Sequence, residues 1–188
     1  MGIRSLTSKH RYGMGELGLL DPNPLESIDL IIQLCREAVL ATSVAFFVFD
    51  DDRATLVIKS IKGEDGLRPG GIAASADQSA SWLVRNEADT VEIEDLAFHD
   101  QTLDSIERQV LGARGYLGAP VRGPVDETIG VLAAMTSTPQ RWNTHEKELL
   151  GSFARLLSEQ ILLRAALQTI KAMAKERDAI TAIASYRN

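Results

Sequence analysis

The chain has 188 residues, 45% of them hydrophobic and 24% charged, with a formal net charge of -6. That is enough chain for one domain with a real core, the acidic balance excludes a general pull towards nucleic acid or anionic membrane, and no apolar run approaches the ~20 residues of a membrane span. Cys35 is the single cysteine, which excludes an intrachain disulfide and suits a reducing, cytoplasmic compartment.

Residues 1–22 show no sustained periodicity, and their start, Met1 to Lys9, lacks the apolar core of a signal peptide. They are expected to form a flexible arm whose short apolar piece, Leu17 to Leu20, is free to dock on a partner. Asn23-Pro24-Leu25-Glu26 is a helix start, with Asn23 as cap, Pro24 at the first helical position and Glu26 closing a capping box. Leu25, Ile28, Ile31, Ile32, Cys35, Ala38 and Val39 then recur at helical spacing, and the helix ends near Leu40.

Val44 to Phe49 is rich in aromatic and β-branched residues, and Asp50 to Arg53 is a polar turn. From Ala54 to Ile61, Leu56 and Ile58 alternate with Thr55, Val57 and Lys59, so the two runs form a β-hairpin. The glycines and the proline of residues 62–74 mark a loop that lacks the Gly-Lys-Ser/Thr ending of a phosphate loop. Ser75 or Asp77 caps a short helix carrying Trp82, Leu83 and Val84; Thr90 to Glu94 alternates as a strand; and Thr102 to Leu111 is another short helix, stopped by Gly112. Tyr116 to Val121, a turn at Gly123 to Asp126, and Thr128 to Met135 make a second hairpin. Asn143 and Glu146 are spaced for a capping box at the start of a long helix, which runs to about Ser185 with no proline and one glycine, Gly151.

Two hairpins and a lone strand predict an α+β fold with an antiparallel sheet of five or six strands, long terminal helices on one face and short helices on the other. Four local patterns then resemble the GAF domain family. They are Thr90-Val91-Glu92-Ile93-Glu94-Asp95-Leu96, Gly115-Tyr116-Leu117-Gly118-Ala119-Pro120-Val121, Thr128-Ile129-Gly130-Val131-Leu132, and Arg141-Trp142-Asn143-Thr144-His145-Glu146, within residues 24–165. The resemblance implies a six-stranded antiparallel sheet, a small-molecule pocket under the middle helices, and dimerisation through the first and last helices. The Asn-Lys-Phe-Asp-Glu pattern of cyclic-nucleotide-binding members cannot be assembled here. Cys35 lies mid-helix, where it does not suit bilin attachment. Members that reduce free methionine sulfoxide use several cysteines, and one thiol cannot close that cycle.

No nucleophile–base pair or metal-ligand spacing stands out, since His10, His99 and His145 are scattered, so no enzymatic activity is expected. The expected ligand-binding residues are Trp82, Arg85, Asp95, Phe98, His99 and Tyr116, around an unidentified small molecule; no cofactor can be named. Along the last helix Leu149, Phe153, Leu156, Gln160, Leu163, Leu167, Ile170 and Ala174 recur in steps of four and three, a heptad seam. Beside it runs a second stripe, Leu150, Ala154, Leu157 and Ile161, available to pack on the sheet. With Ile31 of the first helix, the seam is the expected interface of a parallel homodimer. The expected organisation is an arm over 1–22, a GAF-like sensory domain over 23–165, and a coiled-coil extension over 166–188. Its expected role is to pass ligand state to an output domain or partner; the competing expectation is a dimerisation module without ligand. Neither nucleic acid nor membrane is an expected partner.

Overall fold

A computed structural model describes residues 13–21, 23–63 and 73–185, with side chains as far as 177. The arm's first twelve residues and most of the 62–74 loop therefore lie outside the described residues. In chain order the elements are α1 (Glu26–Val39), β1 (Ser43–Asp50), β2 (Thr55–Gly63), β3 (Ala73–Ser75), α2 (Ser81–Glu87), β4 (Val91–Ile93), α3 (Ile106–Gln109), β5 (Gly115–Arg122), β6 (Thr128–Thr136) and α4 (Thr144–Ser185). Single helical turns at Ala76–Gln78, Leu96–Phe98 and Asp100–Thr102 join the middle elements.

The six strands form one sheet in the order β3-β2-β1-β6-β5-β4, and every neighbouring pair is antiparallel. The two expected hairpins are β1–β2 and β5–β6, brought together by β1–β6 pairing at the centre of the sheet. The sixth strand, β3, falls in the segment expected to be loop.

Both faces of the sheet are covered, which is why β1 is buried along its whole length rather than on alternate residues. Val44, Phe46 and Val48 point into one core with α1 and α4; Ala45, Phe47 and Phe49 point into a second core with α2 and the turns around it. On α4, Leu150, Ala154, Leu157 and Ile161 are fully buried against the sheet, as the second stripe predicts.

Three local expectations need correction. The residue preceding α1 is Leu25, with no side-chain cap, so Asn23 and Pro24 stand outside the helix. Asn23 instead offers its carbonyl to Lys59 Nζ at 2.7 Å, and Asp21 offers its own carbonyl at 3.0 Å. Residues 13–21 are not an open arm: Leu17 and Leu19 are buried in the helical-side core, and Arg164 of α4 donates to the Leu17 carbonyl at 3.3 Å. Two leucines and a buried lysine's need for acceptors hold this segment down. Ile31, expected at a dimer interface, is buried in the chain's own core; the exposed leucines of α1 are Leu30 and Leu34, one helical step away. By contrast the capping box of α4 forms as expected, with the Glu146 N–H donating to Asn143 Oδ1 at 3.0 Å and the Asn143 N–H to Glu146 Oε2 at 2.8 Å.

Candidate functional site

The face of the sheet opposite α1 and α4 carries the segments where a pocket is expected. α2 packs Val84 onto it, α3 packs Ile106, and the turn before α3 packs Leu96. Between these apolar contacts lies a buried polar cluster. Glu107, on α3, is 0% exposed. Its Oε1 accepts from Ser79 Oγ at 2.6 Å, Ser81 Oγ at 3.0 Å and the Ser81 N–H at 3.2 Å, and its Oε2 accepts from the Ala80 N–H at 3.0 Å. The Tyr116 hydroxyl lies 3.1 Å from Ser81 Oγ and extends the cluster onto β5. Burial pushes the Tyr116 phenol well above its ordinary value and the Glu107 charge pushes it further, against the hydrogen bond to Ser81, so Tyr116 stays protonated. Gly118 makes room for the ring: a Cβ there would run into the Tyr116 hydroxyl and Val84.

The structure does not bring the six expected ligand-binding residues into one pocket. Tyr116 is fully buried in the cluster just described. Trp82 packs edge-on against Phe49, ring centroids 6.1 Å apart, and the Arg85 guanidinium lies 4.6 Å from the Phe49 ring and 5.4 Å from that of Trp82. Arg85 also grips Asp51 with both terminal nitrogens, at 2.6 and 2.9 Å. It borders a cleft of 760 Å³ at the end of the sheet, walled by Met14 and Leu20 of the arm, the Asp50–Arg53 turn and Glu127.

Asp95, Phe98 and His99 gather elsewhere, in a shallow 440 Å³ depression beside β4 with Pro139. Phe98 is 85% exposed. His99 Nδ1 is buried without a hydrogen-bond partner. Asp95 caps the following turn through the Ala97 N–H at 3.0 Å and pairs with Arg114, whose Nε lies 2.7 Å away. The Arg114 guanidinium, with help from that N–H, holds the Asp95 carboxyl down at about 2.

Glu107, Ser79 and Ser81 are the buried polar residues that sequence reasoning missed. An acidic residue in a four-residue helix reads as solvent-exposed, and its partners are 26 to 28 positions away. Only an unusual pair of serines flanking an alanine before Trp82 hinted at a polar turn.

No group of three or more His, Cys, Asp or Glu is placed to hold a metal ion among the described residues. Nor is any helix among them long and apolar enough to cross a membrane.

The model of the GAF domain matches residues 26–163. This chain belongs to the GAF domain family. No curated protein sequence matches it. Among solved structures, the GAF domain from a phosphoenolpyruvate-protein phosphotransferase of Coxiella burnetii superposes with a TM-score of 0.67 at 19% identity, covering 83% of this chain and 92% of that one. A fragment of a methyl-accepting chemotaxis protein gives 0.65 at 19% identity, with 76% and 90% covered. Free methionine-R-sulfoxide reductase from Neisseria meningitidis gives 0.61 at 19% identity, with 77% and 80% covered. At these identities the likeness is one of fold. GAF domains of this fold occur both in sensory proteins and in reductases.

Proposed function

We propose that this GAF domain is a dimerising regulatory module of cytoplasmic signal transduction. It binds a small molecule beneath α2 and α3 and passes that state along α4 to an output domain or partner. The observation that carries this reading is α4 itself. It has 42 residues, or roughly 63 Å at 1.5 Å per residue, about twice the span of a small domain. Its inner stripe is buried as far as Ile161, while Leu156, Leu163, Leu167 and Ile170 of the heptad seam stay exposed, Ile170 by 62%. Leu149 and Phe153, nearer the domain, are half covered by the chain's own core, and Gln160 is half-buried between them and the outer leucines. A second α4 laid in parallel covers the seam from Leu156 onward, with Gln160 setting register. Residues 166 onward serve as the signalling extension. A ligand drives such a relay only through different affinities for two arrangements of sheet and helix.

An enzymatic role is not part of this reading. Cys35 is the only thiol, and burial pushes it up to about 12, so it supplies no thiolate for a redox cycle. The dense packing of Phe47, Tyr116 and Met135 of the sheet in one buried cluster with Val84 of α2 favours the competing reading, a dimerisation module without ligand. Native mass spectrometry of the purified protein separates the two. The sensor reading expects twice the 20.5 kDa chain mass with a retained or titratable small molecule. A dimer that takes up no small molecule from a broad metabolite mixture supports the competitor, and a monomer refutes both.

A further inference from the structure

Residues 13–21 join the sheet to the point where α4 leaves the domain. Leu17 and Leu19 are buried in the same cluster as Ile161, the last fully buried residue of α4 among those described. Ala165 packs against that cluster, and Arg164 Nε donates to the Leu17 carbonyl at 3.3 Å. Ile161, Arg164 and Ala165 are three and four residues apart and share one face of the helix. Where the inner stripe of α4 ends, the arm therefore takes hold of it, while Leu163 on the neighbouring face is already 53% exposed. The arm's far end is fastened to β2. Phe46 pairs with Ser60 and Phe47 with Ile58, so Lys59 is the extra residue of a bulge. The bulge turns Lys59 and Ser60 to the helical side together, while Ile58 and Ile61 keep to the other core. Ser60 bonds Asp29 of α1. Lys59, its side chain 0% exposed, gives Nζ to the Asp21 and Asn23 carbonyls at 3.0 and 2.7 Å and to Asp21 Oδ1 at 3.4 Å. A buried cation needs such acceptors, and among the described residues all of them belong to Asp21 and Asn23. Between the two fastenings Gly18, at φ 71°, closes a single helical turn, with the Leu19 N–H donating to the Met14 carbonyl and the Gly18 N–H to that of Gly15, each at 2.9 Å. Leu17 and Arg164 both lie outside residues 26–163, so their contact joins two segments that the family model does not span.

We propose that residues 13–21 are a strap which sets the direction in which α4 leaves the domain, and that its release from Lys59 and Arg164 is the step that resets the exposed half of α4. This rests on the sensor reading above for what the setting is used for, and it names the element that regulates the relay. The strap pairs with no strand, and its hold is two leucines and two cations at opposite ends. When it lifts, water reaches Lys59 and the Leu17 carbonyl and replaces their bonds, so the polar contacts direct the strap more than they bind it. Met14, Leu20 and Asp21 also wall the 760 Å³ cleft, which leaves that side of the strap open to solvent. Because one rigid turn carries both fastenings, loosening either end loosens the other.

The test is amide hydrogen exchange on the full chain, followed by mass spectrometry, with the strap cut at one end and read at the other. Lys59→Met keeps the length of the side chain and removes the charge that holds Asp21 and Asn23. It should speed exchange at least about fivefold in α4 residues 165–169, while β1, β6 and α4 residues 150–158 stay within about twofold of the parent. Arg164→Ala is the reciprocal cut, and alanine suits a helix, so α4 itself is not weakened. It should speed exchange at Leu17, Gly18 and Leu19 by a similar factor. If Lys59→Met does not fold, Arg164→Ala carries the test alone, because Arg164 is only half-buried. Exchange beyond Ile161 that ignores Lys59→Met, or exchange at Leu17 to Leu19 that ignores Arg164→Ala, overturns the strap. A uniform rise across the sheet and both helices also overturns it, since that is general destabilisation. A parent chain that proves monomeric removes the relay of the sensor reading, while the exchange pattern still decides the strap.

Discussion

Ile161→Ala probes the claim that the inner stripe of α4 is core while its neighbours are not. Ile161 is fully buried in the cluster formed by α1, α4 and the sheet, beside Leu157 and the arm's Leu17 and Leu19. The substitution deletes three carbons, worth roughly 0.8 kcal/mol each in transfer, and the rigid neighbours leave part of the space unfilled, so the expected loss is about 3–4 kcal/mol. For a domain of this length each kcal/mol moves the melting temperature by roughly 2–4 °C, which puts the drop at about 6–16 °C. Glu159→Ala, two residues away on the exposed face, should stay within about 0.5 kcal/mol of the parent. Melting followed by circular dichroism at 222 nm, a wavelength that reports helix, measures both variants side by side. A melting temperature for Ile161→Ala within about 2 °C of the parent would show that this turn of α4 does not pack on the sheet, and the two-stripe account would fail.

The Asp95 carboxyl sits at about 2 against an ordinary 3.8, so its ion pair stabilises the fold above the ordinary value and that contribution is lost as pH falls through the interval. The gap in melting temperature between the parent and Asp95→Asn should therefore be constant near neutrality and close between about pH 4 and 2, and a gap independent of pH would contradict the pairing with Arg114. Cys35, pushed up to about 12 by burial, should resist Ellman's reagent at about pH 8 in the folded chain and react at once in denaturant; fast labelling of the native protein would show that α1 opens. Asn143→Ala removes the acceptor of the Glu146 N–H and should cost about 1 kcal/mol in equilibrium urea unfolding, whereas no loss would mean the box is ornamental to α4.

Much of this architecture was legible in the residues because local signals and tertiary burial agree. The polar turn at Asp50–Arg53 and the alternation of β2 mark a hairpin, and Asn143 with Glu146 marks the start of α4. β3 was not legible: Ala73-Ala74-Ser75 has neither branched nor aromatic residues, and its strand character comes from pairing with Thr55 to Val57. Asn23-Pro24 looked like a cap, yet Lys59, far along the chain, claims the Asn23 carbonyl. Ile31 and Leu30 are adjacent, and periodicity shows that α1 has an apolar side without saying which residue meets its own sheet. The candidate site was the least legible part. Phe98 and Tyr116 share aromatic character, but one lies on the surface and the other at the centre of the core. Glu107 depends on Ser79 and Ser81, and nothing in its own neighbourhood signals that partnership.

The central claim is that the exposed seam of α4 is where two copies meet. Light scattering coupled to size-exclusion chromatography, with the parent and Leu163→Asp/Leu167→Asp run side by side, tests it most directly. Leu163 is 53% exposed and Leu167 48%, so covering each is worth roughly 1 kcal/mol per chain. Losing four such contacts and placing four carboxylates in the seam should weaken the dimer at least about a thousandfold. The account predicts a parent at twice the chain mass and a double variant that elutes as a folded monomer, with its circular dichroism largely retained. A parent that is monomeric, or a double variant that stays fully dimeric, would contradict it.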